Sequence, residues 1–135
     1  MKKICICTTV SITMKTFVVE TAKYLHENCG YDITLICNED EKFEKSLPEY
    51  LHFIPVHMAR GIDMSALKSI KQFMQIFKEQ KFDMVQYSTP NAACYASIAA
   101  KRVKVPIRLY CQWGIRYVGM SGISRKIFKA IEKMV

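Results

Sequence analysis

Short apolar runs alternate along this chain with longer stretches whose apolar residues fall three or four apart, and each change of rhythm marks a change of element. Residues 2–8 form a β-branched, cysteine-rich run of the buried-strand kind. Across residues 14–28, Met14, Val18, Thr21 or Ala22, and Leu25 recur at helical spacing, with Lys15, Glu20, Lys23 and Glu27 around the rest of the helix. Asn28-Cys29-Gly30 reads as its end, Gly30 supplying a left-handed cap. Residues 31–37 form a second strand, Asn38 to Lys45 an acidic, lysine-laced loop, and Leu51 to Val56 a third strand. Pro55 predicts an edge position for that strand, because proline cannot donate to the ladder.

The clearest helix spans residues 64–80. Leu67, Ile70, Met74 and Phe77 make its stripe with Phe73 beside them, while Lys68, Lys71, Gln75 and Lys78 face water. Residues 83–87 form a fourth strand. Thr89-Pro90 then opens a helix through about Val103, a capping hydroxyl followed by proline at the first helical position. Its many alanines allow close approach to a sheet. Residues 106–111 form a fifth strand, and a loop through Gly114, Gly119 and Gly122 leads to a last helix from Ser124. Ile127, Phe128 and Ile131 lie on one side of it, and Arg125, Lys126, Lys129 and Lys133 around the other. No stop signal precedes Val135, so the chain is expected to end inside this helix.

Strand and helix alternate throughout, which predicts an α/β fold: a mainly parallel sheet covered by helices on both faces. In such sheets ligands bind beyond the carboxyl ends of the strands. The segments that matter are therefore Thr8 to Met14, Asn38 onwards, His57 to Asp63, Tyr87 to Ala92, and Gln112 to Gly122.

Length and composition narrow the classes. A chain of 135 residues favours one domain, residues 1–135. No apolar run approaches the roughly 20 residues of a membrane span. The opening Met1-Lys2-Lys3 resembles the start of a signal peptide, but its apolar run stops at Thr8 and Thr9 with no cleavage region after it. A cytoplasmic location is expected. The six cysteines sit mostly in apolar runs, as buried free thiols do, and the three histidines have no metal-ligand spacing, so no metal is expected. The net charge of +8 is local: residues 1–100 hold eleven basic and eleven acidic residues, residues 101–135 nine basic residues against Glu132 alone. That block points to an anionic partner or to compensation by an acidic segment after Val135.

Candidate chemistry follows the strand ends. Glu39 and Asp40 stand where an acidic residue holds a ribose in dinucleotide sites, but the loop Thr8 to Thr13 contains no glycine to admit a pyrophosphate. No triad or carboxylate pair can be assigned, and the catalytic residues are unknown. Three segments offer binding groups. Thr9 and Ser11 supply hydroxyls after the first strand, and Ser88 and Asn91 supply small polar groups at a helix start. Trp113 and Arg116 put a flat aromatic and a cation on the last loop, suited to a sugar ring or a planar base. The plainer alternative has Trp113 packed under the loop and Arg116 as a surface charge.

The ordered set of segments resembles the N-terminal domain of GT-B glycosyltransferases, specifically the family 4-like group that builds surface polysaccharides. The resemblance rests on Lys2-Lys3-Ile4, Ala22-Lys23-Tyr24-Leu25, Gly30 to Cys37, and Phe53 to Val56 with Met58 and Arg60. It continues through Phe77 to Val85, Thr89-Pro90-Asn91-Ala92, Ala99-Ala100-Lys101 and Val105-Pro106. It departs where such domains often carry a glycine-containing first loop and histidines; here stand Val10 to Thr13, Gln86, Ser88 and Trp113-Gly114. The resemblance implies a Rossmann-like three-layer αβα sandwich. It also implies transfer of a sugar from a nucleotide-sugar donor to a glycan or lipid-linked acceptor in capsule or lipopolysaccharide synthesis, with retention and without a bound metal. The acceptor would meet Thr9, Ser11, Ser88, Asn91, Trp113 and Arg116. The donor would sit mainly in a C-terminal domain absent from these residues, so this chain alone is expected to be inactive and to bind no cofactor. A lipid-linked acceptor would bring Arg125, Lys126, Lys129 and Lys133 to an anionic membrane, placing the enzyme at the inner face. Nucleic acid is not an expected partner, since aromatics and basic residues do not interleave. The alternative is a free-standing binding or regulatory domain for an anionic partner.

Overall fold

The computed structural model describes residues 1–59, 64–112 and 122–134. Five strands form one sheet: β1 (Lys3–Cys7), β2 (Asp32–Cys37), β3 (Leu51–Pro55), β4 (Met84–Tyr87) and β5 (Ile107–Tyr110). Their order is β3-β2-β1-β4-β5 and every neighbouring pair is parallel. The Rossmann-like α/β expectation is met, and β3, with Pro55 as its last residue, lies at an edge.

Alternation along β1 sorts the sheet's two faces. Ile4 and Ile6 join Ile33, Leu35 and Cys37 in one core, while Cys5 and Cys7 join Ile36, Val85 and Tyr87 in the other. The first core is covered by a helical stretch that begins as α1 (Ser11–Thr13), passes through a π-helical turn (Met14–Val18) and continues as α2 (Val19–Cys29). Met14, Val18 and Ala22 are its buried stripe, as their spacing predicts. Gly30 ends it at φ 71°, and its N–H donates to the carbonyls of His26 and Leu25. The helix starts three residues earlier than periodicity indicates, because the π turn breaks the regular repeat.

Residues read as a loop form another helix on this face, α3 (Glu41–Ser46). Asp40 caps it: its Oδ1 accepts from the Phe43 N–H at 3.0 Å. Phe43 is fully buried beneath, which contributes about 1.5–3 kcal/mol, and Glu41 pairs with Lys45 at 2.9 Å. One buried aromatic anchors an otherwise polar segment.

The second face carries α4 (Ala66–Gln80) and α5 (Pro90–Arg102), packed against each other. On α4 the buried residues are Ser69, Phe73, Ile76 and Phe77, whereas Leu67 is 67% exposed. The expected stripe is thus rotated. Ser69 is drawn inward because its Oγ donates to the His57 carbonyl at 2.6 Å, and that turns Leu67 outward. On α5, Ala92, Ala93, Ala96, Ala99 and Ala100 are buried and let the helix lie close to the sheet. Helix α6 (Gly122–Met134) packs against α5.

Candidate functional site

The strand order reverses between β1 and β4: β1 leads to a helix on one face and β4 to a helix on the other. Such a switch point opens a crevice at the carboxyl ends of the two strands. Its floor here is made by Thr8 and Thr9 after β1 and by Ser88 and Thr89 after β4. These segments touch through hydroxyls. Thr9 Oγ1 lies 2.7 Å from Thr89 Oγ1, and the Thr9 N–H donates to Thr89 Oγ1 at 3.1 Å.

The helix start at Thr89-Pro90 is built differently from the expected local cap. Thr89 makes no capping bond to its own helix. Instead, Thr9 Oγ1 accepts from the Ala92 N–H at 3.2 Å, so a residue from the neighbouring strand end caps α5. Thr89 has φ 68° and ψ 147°, a backbone region costing on the order of 1–3 kcal/mol for a β-branched residue. Pro90 disfavours the helical alternative at Thr89, and the bonds from Thr9 hold it in place.

Two asparagines tie the remaining loops to this floor. Asn38 Nδ2 donates to the carbonyls of Thr9 at 2.9 Å and Met58 at 2.8 Å, while its Oδ1 accepts from the Met58 N–H at 2.7 Å. Asn91, buried at the start of α5, donates from Nδ2 to the Ala59 carbonyl. The segments after β1, β2, β3 and β4 are therefore joined by side-chain amides and hydroxyls. Asn38 opens one of the strand-end segments that the sequence marks, but its role as a tie between loops is not legible there; the one signal is an amide directly after a strand, at the ligand-binding edge.

Ser11 sits half-buried on the rim, and its Oγ donates to Asp40 Oδ2 at 2.6 Å. That bond, followed by the one from the Phe43 N–H, holds the Asp40 carboxyl below its usual range. Asp40 is thus committed to the ionised, accepting state and to capping α3. Ser88 behaves otherwise: its Oγ is fully buried and has no hydrogen-bond partner among the described residues. Thr9 and Ser11 thus follow β1, and Ser88 and Asn91 follow β4, at the sheet edge where the strand order reverses. Trp113 and Arg116 lie outside the described residues.

The thiols contribute packing. Cys5 and Cys7 point to one face with their sulfurs 3.6 Å apart, and burial, then Cys7, pushes the Cys5 thiol up. Burial, with Asp40 and Cys7 adding to it, pushes Cys37 up to about 12. Thiols kept protonated in this way are poor nucleophiles.

A second concavity lies beside the crevice, beyond β2 and β3. Glu39 and His57 form one wall and Lys68, Lys71, Gln72 and Gln75 of α4 the other.

A family model described as glycosyl transferase 4-like matches residues 3–135. This chain belongs to that family. A capsular polysaccharide biosynthesis glycosyltransferase, CapM of Staphylococcus aureus, is 29% identical over 104 residues, covering 76% of this chain and 27% of that protein. Among solved structures, Acinetobacter baumannii MurG superposes with a TM-score of 0.64 at 17% identity, over 97% of this chain and 39% of its own. A UDP-bound S. aureus MnaA gives 0.66 at 18% identity, over 97% of this chain and 36% of its own. These structural likenesses establish the fold. The glycosyl transferase 4-like chain described here spans about a quarter of the length of its curated relative.

Proposed function

We propose that this glycosyl transferase 4-like chain is the acceptor-side domain of an enzyme that moves a sugar from a nucleotide-sugar donor to a glycan or lipid-linked acceptor in surface polysaccharide synthesis. The observation that carries the reading is the family match across residues 3–135, joined to a crevice floored by hydroxyls at the strand-order reversal. Thr9, Ser11, Ser88 and Asn91, with Trp113 and Arg116 from the loop after β5, are the proposed acceptor contacts. Hydroxyls and amides that both donate and accept suit the hydroxyls of a sugar. The donor belongs to a second domain following in the full-length enzyme, and transfer proceeds with retention and without a bound metal.

The basic end supports a location at the inner face of the membrane. Among the described residues no helix is long and apolar enough to cross a bilayer. On α6, Lys126, Lys129 and Lys133 are exposed, and so are Ile123 at 76% and Ile127 at 39%. Exposed isoleucines among lysines match a helix that lies on an anionic surface. Arg125 belongs to the same helix.

The test is a turnover assay. The 135-residue chain should transfer no sugar from any nucleotide donor, while the same chain joined to its donor-binding domain should. Robust transfer by the chain alone would refute the acceptor-side assignment. Product stereochemistry, read by NMR of the new glycosidic bond, decides retention.

A further inference from the structure

The concavity beyond β2 and β3 encloses about 640 Å³, within the roughly 300–1,000 Å³ of ordinary small-molecule sites. Lys68, Lys71, Gln72 and Gln75 line it from α4. Steps of three and four residues put all of them on one stripe of that helix. The direction of the stripe is set by the core, because Ser69, Phe73, Ile76 and Phe77 are buried on the other side. The Ser69–His57 hydrogen bond ties the helical wall to the opposite wall, where His57 and Glu39 stand.

The charges here are unbalanced. Among the described residues, neither Lys68 nor Lys71 forms an ion pair. Two exposed ammoniums one turn apart repel each other, and an anion between them would turn that repulsion into attraction. Lysine acts as a point charge, so it accepts a carboxylate or a phosphoryl group without demanding a forked geometry. Gln72 and Gln75 add amides suited to hydroxyls; Gln75 Nε2 already donates to Glu79 at 3.0 Å, which leaves its carbonyl oxygen to accept. Among the described residues, Glu39 is the one carboxylate lining this groove, and it opposes an anion.

We propose that this groove binds an acidic sugar, its carboxylate or phosphoryl group held by Lys68 and Lys71 and its hydroxyls by His57, Gln72 and Gln75. The inference deepens the acceptor reading and rests on it for the carbohydrate. It assigns the acceptor a negative charge next to the reacting end, supplied by a uronic acid or a sugar phosphate.

Binding to the 135-residue chain is followed by NMR shifts of backbone amides and side-chain ammoniums. The probes are glucuronic acid, glucose 1-phosphate, inorganic phosphate and glucose. Both acidic sugars should saturate shifts at Lys68, Lys71 and His57 at concentrations at least tenfold below those needed for glucose. The sugar bound more tightly identifies the source of the charge. The double change Lys68→Gln and Lys71→Gln should weaken acidic-sugar binding about tenfold, or about 1.4 kcal/mol. Lys78→Gln removes the same charge from the same helix outside the groove and should leave binding unchanged. Glu39→Gln should tighten it severalfold. Glucose binding as tightly as the acidic sugars, or indifference to the double change, overturns the groove proposal and leaves the acceptor reading standing. Inorganic phosphate binding as tightly as glucose 1-phosphate overturns the carbohydrate assignment. Acidic sugars saturating the groove in a full-length enzyme that transfers no sugar would support the groove and overturn the acceptor reading.

Discussion

Thr9 Oγ1 and Thr89 Oγ1, from residues eighty positions apart in the chain, sit 2.7 Å from each other at the ends of β1 and β4. The Thr9 hydroxyl does three things at once. It supplies the cap that α5 lacks locally, it secures the positive φ of Thr89, and it closes the floor of the crevice.

Thr9→Val should therefore destabilise the chain by about 1–3 kcal/mol, since the Ala92 N–H and the Thr89 hydroxyl lose a buried partner. Thr9→Ser keeps the hydroxyl and should lose less than half as much. Ser88→Ala is the contrasting case: its hydroxyl is buried with no partner among the described residues, so its removal should be neutral or slightly stabilising. Urea unfolding of the three variants checks the ranking. A Thr9→Val variant as stable as the parent would show that the cap contributes nothing.

The Ser11–Asp40 bond gives stability a pH dependence of predictable sign. The folded carboxyl lies below its unfolded value, chiefly because Ser11 and then the Phe43 N–H stabilise the ionised form. That contribution is complete above the ordinary carboxylate range and is lost as pH falls through the depressed folded value. Ser11→Ala should flatten the acid limb of stability, and Asp40→Asn should remove this component of it. Thermal unfolding between neutral pH and the acid range measures both, and identical acid limbs in parent and variants would overturn the assignment.

The exposed face of α6 should bind anionic vesicles in the full-length enzyme. Each Lys or Arg near such headgroups is worth about 1 kcal/mol, and added salt should screen the attraction. Changing Lys126, Lys129 and Lys133 to glutamate should abolish co-sedimentation with vesicles rich in acidic lipid. Equal binding to neutral vesicles, or no effect of the three changes, would make α6 a purely structural helix.

Local pattern was enough to determine the alternation of strands and helices, because backbone geometry repeats every two residues in one and every 3.6 in the other. It marked Gly30 as a cap, since the left-handed conformation there favours a residue without Cβ. It also put β3 at an edge through Pro55, and it brought the family resemblance into view. It misread α3, whose evidence was one capping aspartate and one buried phenylalanine in a polar run. It also took Leu67 for core, where a bond from Ser69 to a distant carbonyl set the helix rotation. The contacts that build the site lay beyond its reach. Thr9 meets Thr89 only because β1 lies beside β4, and Asn38 meets Met58 only because β2 lies beside β3. That order is decided by the summed packing of two cores on opposite faces of the sheet, a quantity no single stretch of sequence contains.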